Sequence, residues 1–150
     1  MFADLLKRLT SPQPDTVAEA DYKVALAALL VRAARADENY TADEAAAIDR
    51  VLIARYGFTP VEAEALRMEG EQAETEAPDT VRLTRAIKDG VPYEERQAVI
   101  EALWCVVLSD NEREQHENAL LRLVTSLLGV NDRDSGIARQ RAALRVEQGL

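Results

Sequence analysis

The sequence is poor in the residue types that favour strands, in cysteine and in the long apolar runs that span membranes. Its 150 residues include one Cys, one Trp, one His and two Phe, and aromatic residues make up only 5%. Scarce aromatic and β-branched residues disfavour strands, whereas the abundant Ala and Leu favour helix. The single cysteine, Cys105, cannot close an intramolecular disulfide, and no stretch approaches the roughly 20 apolar residues of a membrane helix. The composition therefore predicts an all-α protein with no membrane span.

Basic residues are also in the minority, with 18 Lys and Arg against 27 Asp and Glu and a net charge of −9. This balance repels phosphate backbones, and no basic run interleaved with aromatics is present, so we expect no nucleic-acid partner. The N-terminal stretch MFADLLKRLTSPQP carries Asp4 and lacks both a long apolar region and a small-residue cleavage site. It does not have the pattern of a signal peptide, and a cytoplasmic location is the default expectation.

A length of 150 residues with 47% hydrophobic residues fits one domain, 1–150, around one core. Helix start and stop signals predict a bundle of seven or eight helices, including stretches near 16–36, 41–56, 78–90, 92–109 and 114–128 and others opening at 59 and 131. The helix that Thr59 and Pro60 open should fade in the acidic stretch EGEQAETEAPD, which we interpret as a solvated helix end plus loop. Trp104 and Cys105 lie in an apolar helical run and are expected in the core.

An internal repeat becomes visible when the first half of the chain is shifted by 73 residues. The shift superposes identical residues, namely Ala25 on Ala98, Leu30 on Leu103, Asp37 on Asp110, Glu44 on Glu117 and Val51 on Val124. One residue later the frame slips, and Gly57 meets Gly129 as the helix stop. We therefore predict two copies of one helical unit, about 22–69 and 95–142, packed about a pseudo-two-fold axis.

Each unit has an acidic joint between its first two helices. Asp37 and Asp110 follow helix C-termini, where the helix dipole disfavours a negative charge by a few tenths to about 1 kcal/mol. Either a cap or a cation should offset that cost. Glu44 is explained by a capping box with Thr41. Glu117, in contrast, has no reciprocal capping partner, since Glu114 stands at the cap position.

If the pseudo-symmetry brings the joints together, their four carboxylates supply up to eight oxygens. Such a set suits a hard divalent cation, Ca²⁺, Mg²⁺ or Mn²⁺, which is the one cofactor that the residues suggest. The candidate ligands are Asp37, Glu44, Asp110 and Glu117. The alternative is two solvated acidic loops. An EF-hand is excluded in the first joint, because Ala42 occupies the place of the invariant Gly and Ile48 that of the bidentate Glu.

Signatures of catalysis are absent from the sequence. There is no Gly-rich phosphate loop, no nucleophile elbow and no Cys/His set with zinc spacing. The one histidine, His116, follows Arg113 by three residues, so the Glu-x-x-His pattern of di-iron bundles is missing. We therefore expect no enzyme. A carboxylate-based enzyme would need a concave pocket beside the acids, which the sequence does not indicate.

The segments ARADENYTADE, AIDRVL and LWCVVLSDNEREQHENALLRLVTSLLGV resemble the TerB-like family of bacterial tellurite-resistance-associated proteins, over about residues 20–145. In that family each joint tends to read Asp-Gly-x-apolar-x-x-x-Glu, in a duplicated all-helical fold. The resemblance implies a cytoplasmic, stress-associated module with no established enzymatic activity. It also implies metal chelation, sometimes proposed for the family, through Asp37, Glu44, Asp110 and Glu117. Glu38 and Asn111 stand where the family has Gly, so the first joint is expected to adopt a different turn.

Two function hypotheses follow. In the first, the chain is a TerB-like binding module whose acidic joints hold a divalent cation or present a negative surface to a protein partner. In the second, it is a scaffolding protein whose apolar helix faces form a homodimer and whose acids only cap helices and confer solubility.

Overall fold

The computed structural model describes residues 19–35, 40–77, 79–109 and 119–150. Within these ranges the chain forms seven α-helices and no strand, which confirms the prediction of an all-α fold. The helices are α1 (Glu19–Ala34), α2 (Ala42–Tyr56), α3 (Pro60–Glu76), α4 (Thr80–Gly90), α5 (Tyr93–Leu108), α6 (Ala119–Leu127) and α7 (Asp132–Glu147).

Local capping residues set the helix ends that the sequence predicts. Side-chain oxygens at four N-caps accept a hydrogen bond from a backbone N–H three residues on, at Thr41, Thr59, Asp79 and Asn131. Such caps satisfy N–H groups that the first helical turn leaves without a partner. Gly57 and Gly129 end α2 and α6 with φ of 68° and 70°, a left-handed conformation that residues with a side chain adopt only at a cost.

Helix α1 is the centre of the fold. Every side chain from residue 25 to residue 30 is 0% exposed, because α2, α3, α4 and α5 all pack against α1. The sequence shows apolar residues such as Leu26, Leu29 and Leu30 on one face, but the small Ala25, Ala27 and Ala28 are enclosed as well. A helical segment that is apolar all round is a buried one, and residues 24–31 of α1 form such a segment.

Helix α3 packs on α1 more extensively than on any other helix, and the contact depends on a glycine. A Cβ built on Gly70 would lie 2.6 Å from the Ala27 Cβ, 2.7 Å from the Ala27 carbonyl carbon and 2.9 Å from the Ala28 nitrogen. Two of these three atoms are backbone, which cannot rotate away. Gly70 therefore lets the two helix backbones approach closely.

The acidic stretch 69–79 differs from the expectation of a helix that fades into a solvated loop. α3 continues to Glu76 and ends where the Ala77 N–H donates to the Ala73 carbonyl at 2.8 Å. The prediction was wrong because one side of the stretch is buried: Gly70 and Ala73 face the core. Arginines from α1 and from α3 itself bind the glutamates beside that face, which keeps the helix intact.

In the second half of the chain, α5 packs most extensively on α7, and α6 contacts α4 and α5. Leu103, Val99 and Ile100 of α5 join the same core as α1. Trp104 packs against that core from its edge rather than within it. None of the helices in the described ranges has the length and apolar character needed to cross a membrane.

Candidate functional site

Of the four predicted metal ligands, the described part of the chain contains Glu44. Asp37, Asp110 and Glu117 lie outside the described residues, as do His116 and most of both joints. The structure therefore leaves the metal prediction untested. Among the described residues, no group of three or more His, Cys, Asp or Glu side chains is placed to hold a metal ion.

Glu44 forms the capping box that the sequence predicts. Its Oε1 accepts the Thr41 backbone N–H at 2.9 Å, and the Glu44 N–H donates to the Thr41 Oγ1 at 3.1 Å. The side chain is 8% exposed, so this carboxylate sits in the fold rather than in solvent. Its capping role is confirmed, and its Oε1 already accepts a hydrogen bond at the start of α2.

The two described ends of the first joint are both fixed to α3. Before the joint, Arg35 Nη1 binds Glu74 Oε1 at 2.7 Å. After it, the Tyr40 hydroxyl donates to Glu71 Oε2 at 2.6 Å. Burial and the neighbouring Glu71 carboxylate raise the pKa of Tyr40, so the phenol stays protonated and remains a donor. The ends of the joint are therefore held in place.

Arg32 joins three helices at this point. Its Nε binds Glu74 Oε2 at 3.1 Å, its Nη2 donates to the Glu74 carbonyl at 3.1 Å, and its Nη1 donates to the Thr80 hydroxyl at 3.1 Å. Carbonyls in the last turn of a helix lack intrahelical donors, and a cation there is also favoured by the helix dipole. Arg32 thus caps the end of α3 and ties it to α1 and α4.

Arg67 completes the cluster from α3. It binds Asp49 of α2 through Nε at 2.7 Å and Glu71 through Nη1 at 2.7 Å. Burial disfavours the charged guanidinium, but the hydrogen bonds that Arg67 donates to both carboxylates outweigh burial and raise the pKa of Arg67. Three arginines therefore face three acids, and we call this set the arginine cluster: Arg32, Arg35, Arg67, Asp49, Glu71 and Glu74.

Sequence reasoning missed the arginine cluster. Arg32 in the last turn of α1 and Arg35 just after it are three residues apart, and Glu71 and Glu74 are three apart on α3, so each pair is spaced to lie on one side of a helical turn. That spacing was a usable signal. The sequence, however, does not indicate which helices pack against each other.

A cavity of about 240 Å³ lies between α2, α5 and α7, and Cys105 is among its lining residues. The thiol is 3% exposed, and burial raises its pKa to about 11. A buried thiol that stays protonated is a poor nucleophile, so Cys105 is a small core residue, as predicted. A second cavity of about 440 Å³ is bordered by Trp104, and the Arg139 guanidinium lies 4.6 Å from the Trp104 ring centroid.

Comparison with protein families gives one result for most of the chain. The model of a family described as "Tellurite resistance protein TerB" matches residues 23–140. The search of curated proteins and the search of solved structures each found no match. The matched range contains both acidic joints and the arginine cluster.

Proposed function

The chain belongs to the TerB family, and from that premise we propose that it is a non-enzymatic module that binds a divalent cation between its two acidic joints. The proposed ligands are Asp37, Glu44, Asp110 and Glu117. Ca²⁺, Mg²⁺ and Mn²⁺ are the ions whose preference for oxygen ligands fits carboxylates.

The observation that carries the proposal is how the arginines beside the first joint are paired. Asp37 follows the C-terminus of α1, where a negative charge is unfavourable. The cations nearest to it in sequence are Arg32 and Arg35, and both bind Glu74. Glu74 balances only one of these two positive charges, and the one that remains cannot offset the four carboxylates of the two joints, for which a bound metal ion is a natural source of positive charge.

The proposal also needs two equivalent units, and several features of the fold support them. The first helix of each half packs mainly on the third, as α1 on α3 and α5 on α7. In each half a left-handed Gly, an apolar residue and an N-cap link the last two helices, as Gly57-Phe58-Thr59 and Gly129-Val130-Asn131. We therefore propose that 22–69 and 95–142 are copies of one unit.

Isothermal titration of Ca²⁺, Mg²⁺ and Mn²⁺ tests the metal site. Wild type should give a saturable heat with at least one ion, and the Asp110→Asn, Glu117→Gln double variant should lose it. A double variant with the same charge change at exposed acids of α4 and α7, Asp89→Asn with Glu147→Gln, is the matched control and should keep it. Negligible heats from wild type with all three ions would contradict the hypothesis of a metal site.

Thermal unfolding provides a second readout. A ligand that binds only the native state at 100 times its Kd stabilises by about 2.7 kcal/mol. The melting temperature of wild type should therefore rise with the bound ion, and that of the joint variant should not.

The second candidate is that the acids only cap helices and keep the protein in solution. The Glu44 capping box favours it, because this carboxylate has a structural use without any metal. Under this alternative the joint variants and the α4/α7 control behave alike in both measurements.

A further inference from the structure

We propose that the outer face of α3 in one copy of the protein binds the outer face of α7 in a second copy, which gives head-to-tail association. This inference does not depend on the metal site. It rests on two exposed surfaces whose apolar spacing matches and whose charges are opposite.

The α3 face is apolar in the middle and acidic at its edge. Val61 is 77% exposed and Met68 is 56% exposed, and their separation of seven residues puts them on one side of the helix, about 10.5 Å apart. Glu62 and Glu69 run alongside them and are exposed too. The helix carries six Glu and one basic residue, Arg67, which is turned inward to Asp49 and Glu71.

The α7 face has the same spacing and the opposite charge. Leu144 is 57% exposed, and the half-buried Ile137 precedes it by seven residues. Arg133 and Arg141 lie on the same side of the helix and are exposed. The helix holds four Arg against Asp132, Asp134 and Glu147, and Asp134 accepts the Tyr93 hydroxyl at 2.8 Å.

These properties select a second copy as the occupant. Two α3 faces would bring glutamates together, and two α7 faces would bring arginines together, so a symmetric contact through either helix is repelled. An α3 face against an α7 face pairs Val61 and Met68 with Ile137 and Leu144 and places Glu69 near arginine. Because the apolar pairs have equal separation, they meet in either helix direction.

The geometry makes the association weak and open-ended. A contact between two single helix faces falls below the 1,200 Å² typical of stable interfaces, so we expect self-association only at high protein concentration. A heterologous contact leaves an unused face at each end, so further copies can add. Salt should weaken the contact by screening its charges.

Sedimentation of the full chain tests the proposal directly. The weight-average mass should rise above the monomer value of 16.6 kDa as the concentration increases from about 10 µM to about 1 mM, the range expected of a small interface. Met68→Glu and Leu144→Glu should each weaken the association at least tenfold. Val81→Glu, at an exposed hydrophobic residue of α4, is the control and should leave it unchanged.

Mixing the two blocked variants gives the decisive result. Met68→Glu retains an intact α7 face and Leu144→Glu retains an intact α3 face, so an equimolar mixture should form a dimer and stop there. In addition, Glu69→Arg should weaken self-association and Arg141→Glu in the same chain should restore it. Circular dichroism of each variant verifies that the helices are intact.

Four outcomes would overturn the inference. They are a mass that stays at the monomer value up to 1 mM, association that Met68→Glu leaves unchanged, loss of association in Val81→Glu as well, and no dimer in the mixture. The last result would point to a symmetric contact elsewhere or to a different protein as the partner of these faces.

Discussion

The polar contacts between helices are arranged differently in the half of the chain that contains α1–α3 and in the half that contains α5–α7. In the first half, the arginine cluster links three arginines to three acids, through contacts between helices and one pair, Arg67–Glu71, within α3. In the second half, the Tyr93 hydroxyl binds Asp134 at 2.8 Å, and Arg139 stacks on the Trp104 ring at 4.6 Å. The first half thus has a cluster of linked ion pairs at its helix contacts, whereas the second half combines the Arg145–Glu101 ion pair with aromatic contacts.

The difference shows which part of a helix pair is constrained. Both halves need an apolar interface between their first and third helices, and both have one. The polar contacts at the edge of that interface are free to vary, because many arrangements can satisfy the same buried groups.

The sharpest test of the interfaces compares two helical glycines. Gly70→Ala should lower the unfolding free energy by about 3 kcal/mol, because its Cβ would meet the Ala27 backbone at 2.7 Å and force the helices apart. Gly136→Ala, on α7 with nothing within 4 Å of its Cβ, should instead stabilise by up to about 1 kcal/mol through helix propensity. Urea unfolding measures both. Equal changes in unfolding free energy for the two variants would mean that α1 and α3 are not in close backbone contact at Gly70.

The next test compares the ionic edges. Glu74→Gln removes the negative charge that pairs with Arg32 and Arg35 and should cost about 2 kcal/mol, within the usual range for hydrogen bonds between charged groups. Glu101→Gln removes the partner of Arg145, an arginine with 55% of its side chain exposed, and should cost under about 1 kcal/mol. Chemical denaturation measures the two values. A larger loss at Glu101 would contradict the ranking.

Cys105 offers a pH-dependent test of the core between the halves. Burial raises its pKa from the ordinary value of 9.0 to about 11, so the thiolate is disfavoured in the folded state. Its contribution to stability is complete below pH 9 and is lost as the pH rises towards 11. The difference in stability between wild type and Cys105→Ala should therefore shrink over that window. A difference that stays constant with pH would show that the thiol is not buried in solution.

The smallest effect is expected at the capping box. Glu44→Gln keeps an oxygen that can accept the Thr41 N–H, so the unfolding free energy should change by less than about 0.5 kcal/mol. Thr41→Ala removes the other side of the box and should cost about 1 kcal/mol. If Glu44→Gln leaves stability unchanged but lowers the heat of metal titration, Glu44 has a role in metal binding that is distinct from its capping role.

The helix boundaries were largely predictable because their causes are local. Thr59 with Pro60 opens α3, Asn131 opens α7, and Gly57 closes α2, all within one turn of the residue that gives the signal. The extent of α3 was not predictable from the same signals. Glu71 and Glu74 are charged residues of the kind found at solvated helix ends, and the arginines that bind Glu74 come from the end of α1 and the residue after it, 42 and 39 residues away.

The candidate site was predictable to a smaller degree. The capping role of Glu44 follows from Thr41-x-x-Glu44 alone, and the structure has it. The arginine cluster depends on which helices are neighbours, a long-range property that periodicity does not contain. The metal ligands Asp37, Asp110 and Glu117 remain a prediction, since they lie outside the described residues.

The enclosure of α1 has a consequence for how the molecule melts. α1 is covered by α2 and α3 from its own half, by α5 from the other half and by α4 between them, so the first half does not keep a closed core when the second half is lost. Repeat proteins whose units touch only their neighbours can unfold piecewise. The present chain should instead unfold in a single cooperative step, with equal calorimetric and van't Hoff enthalpies.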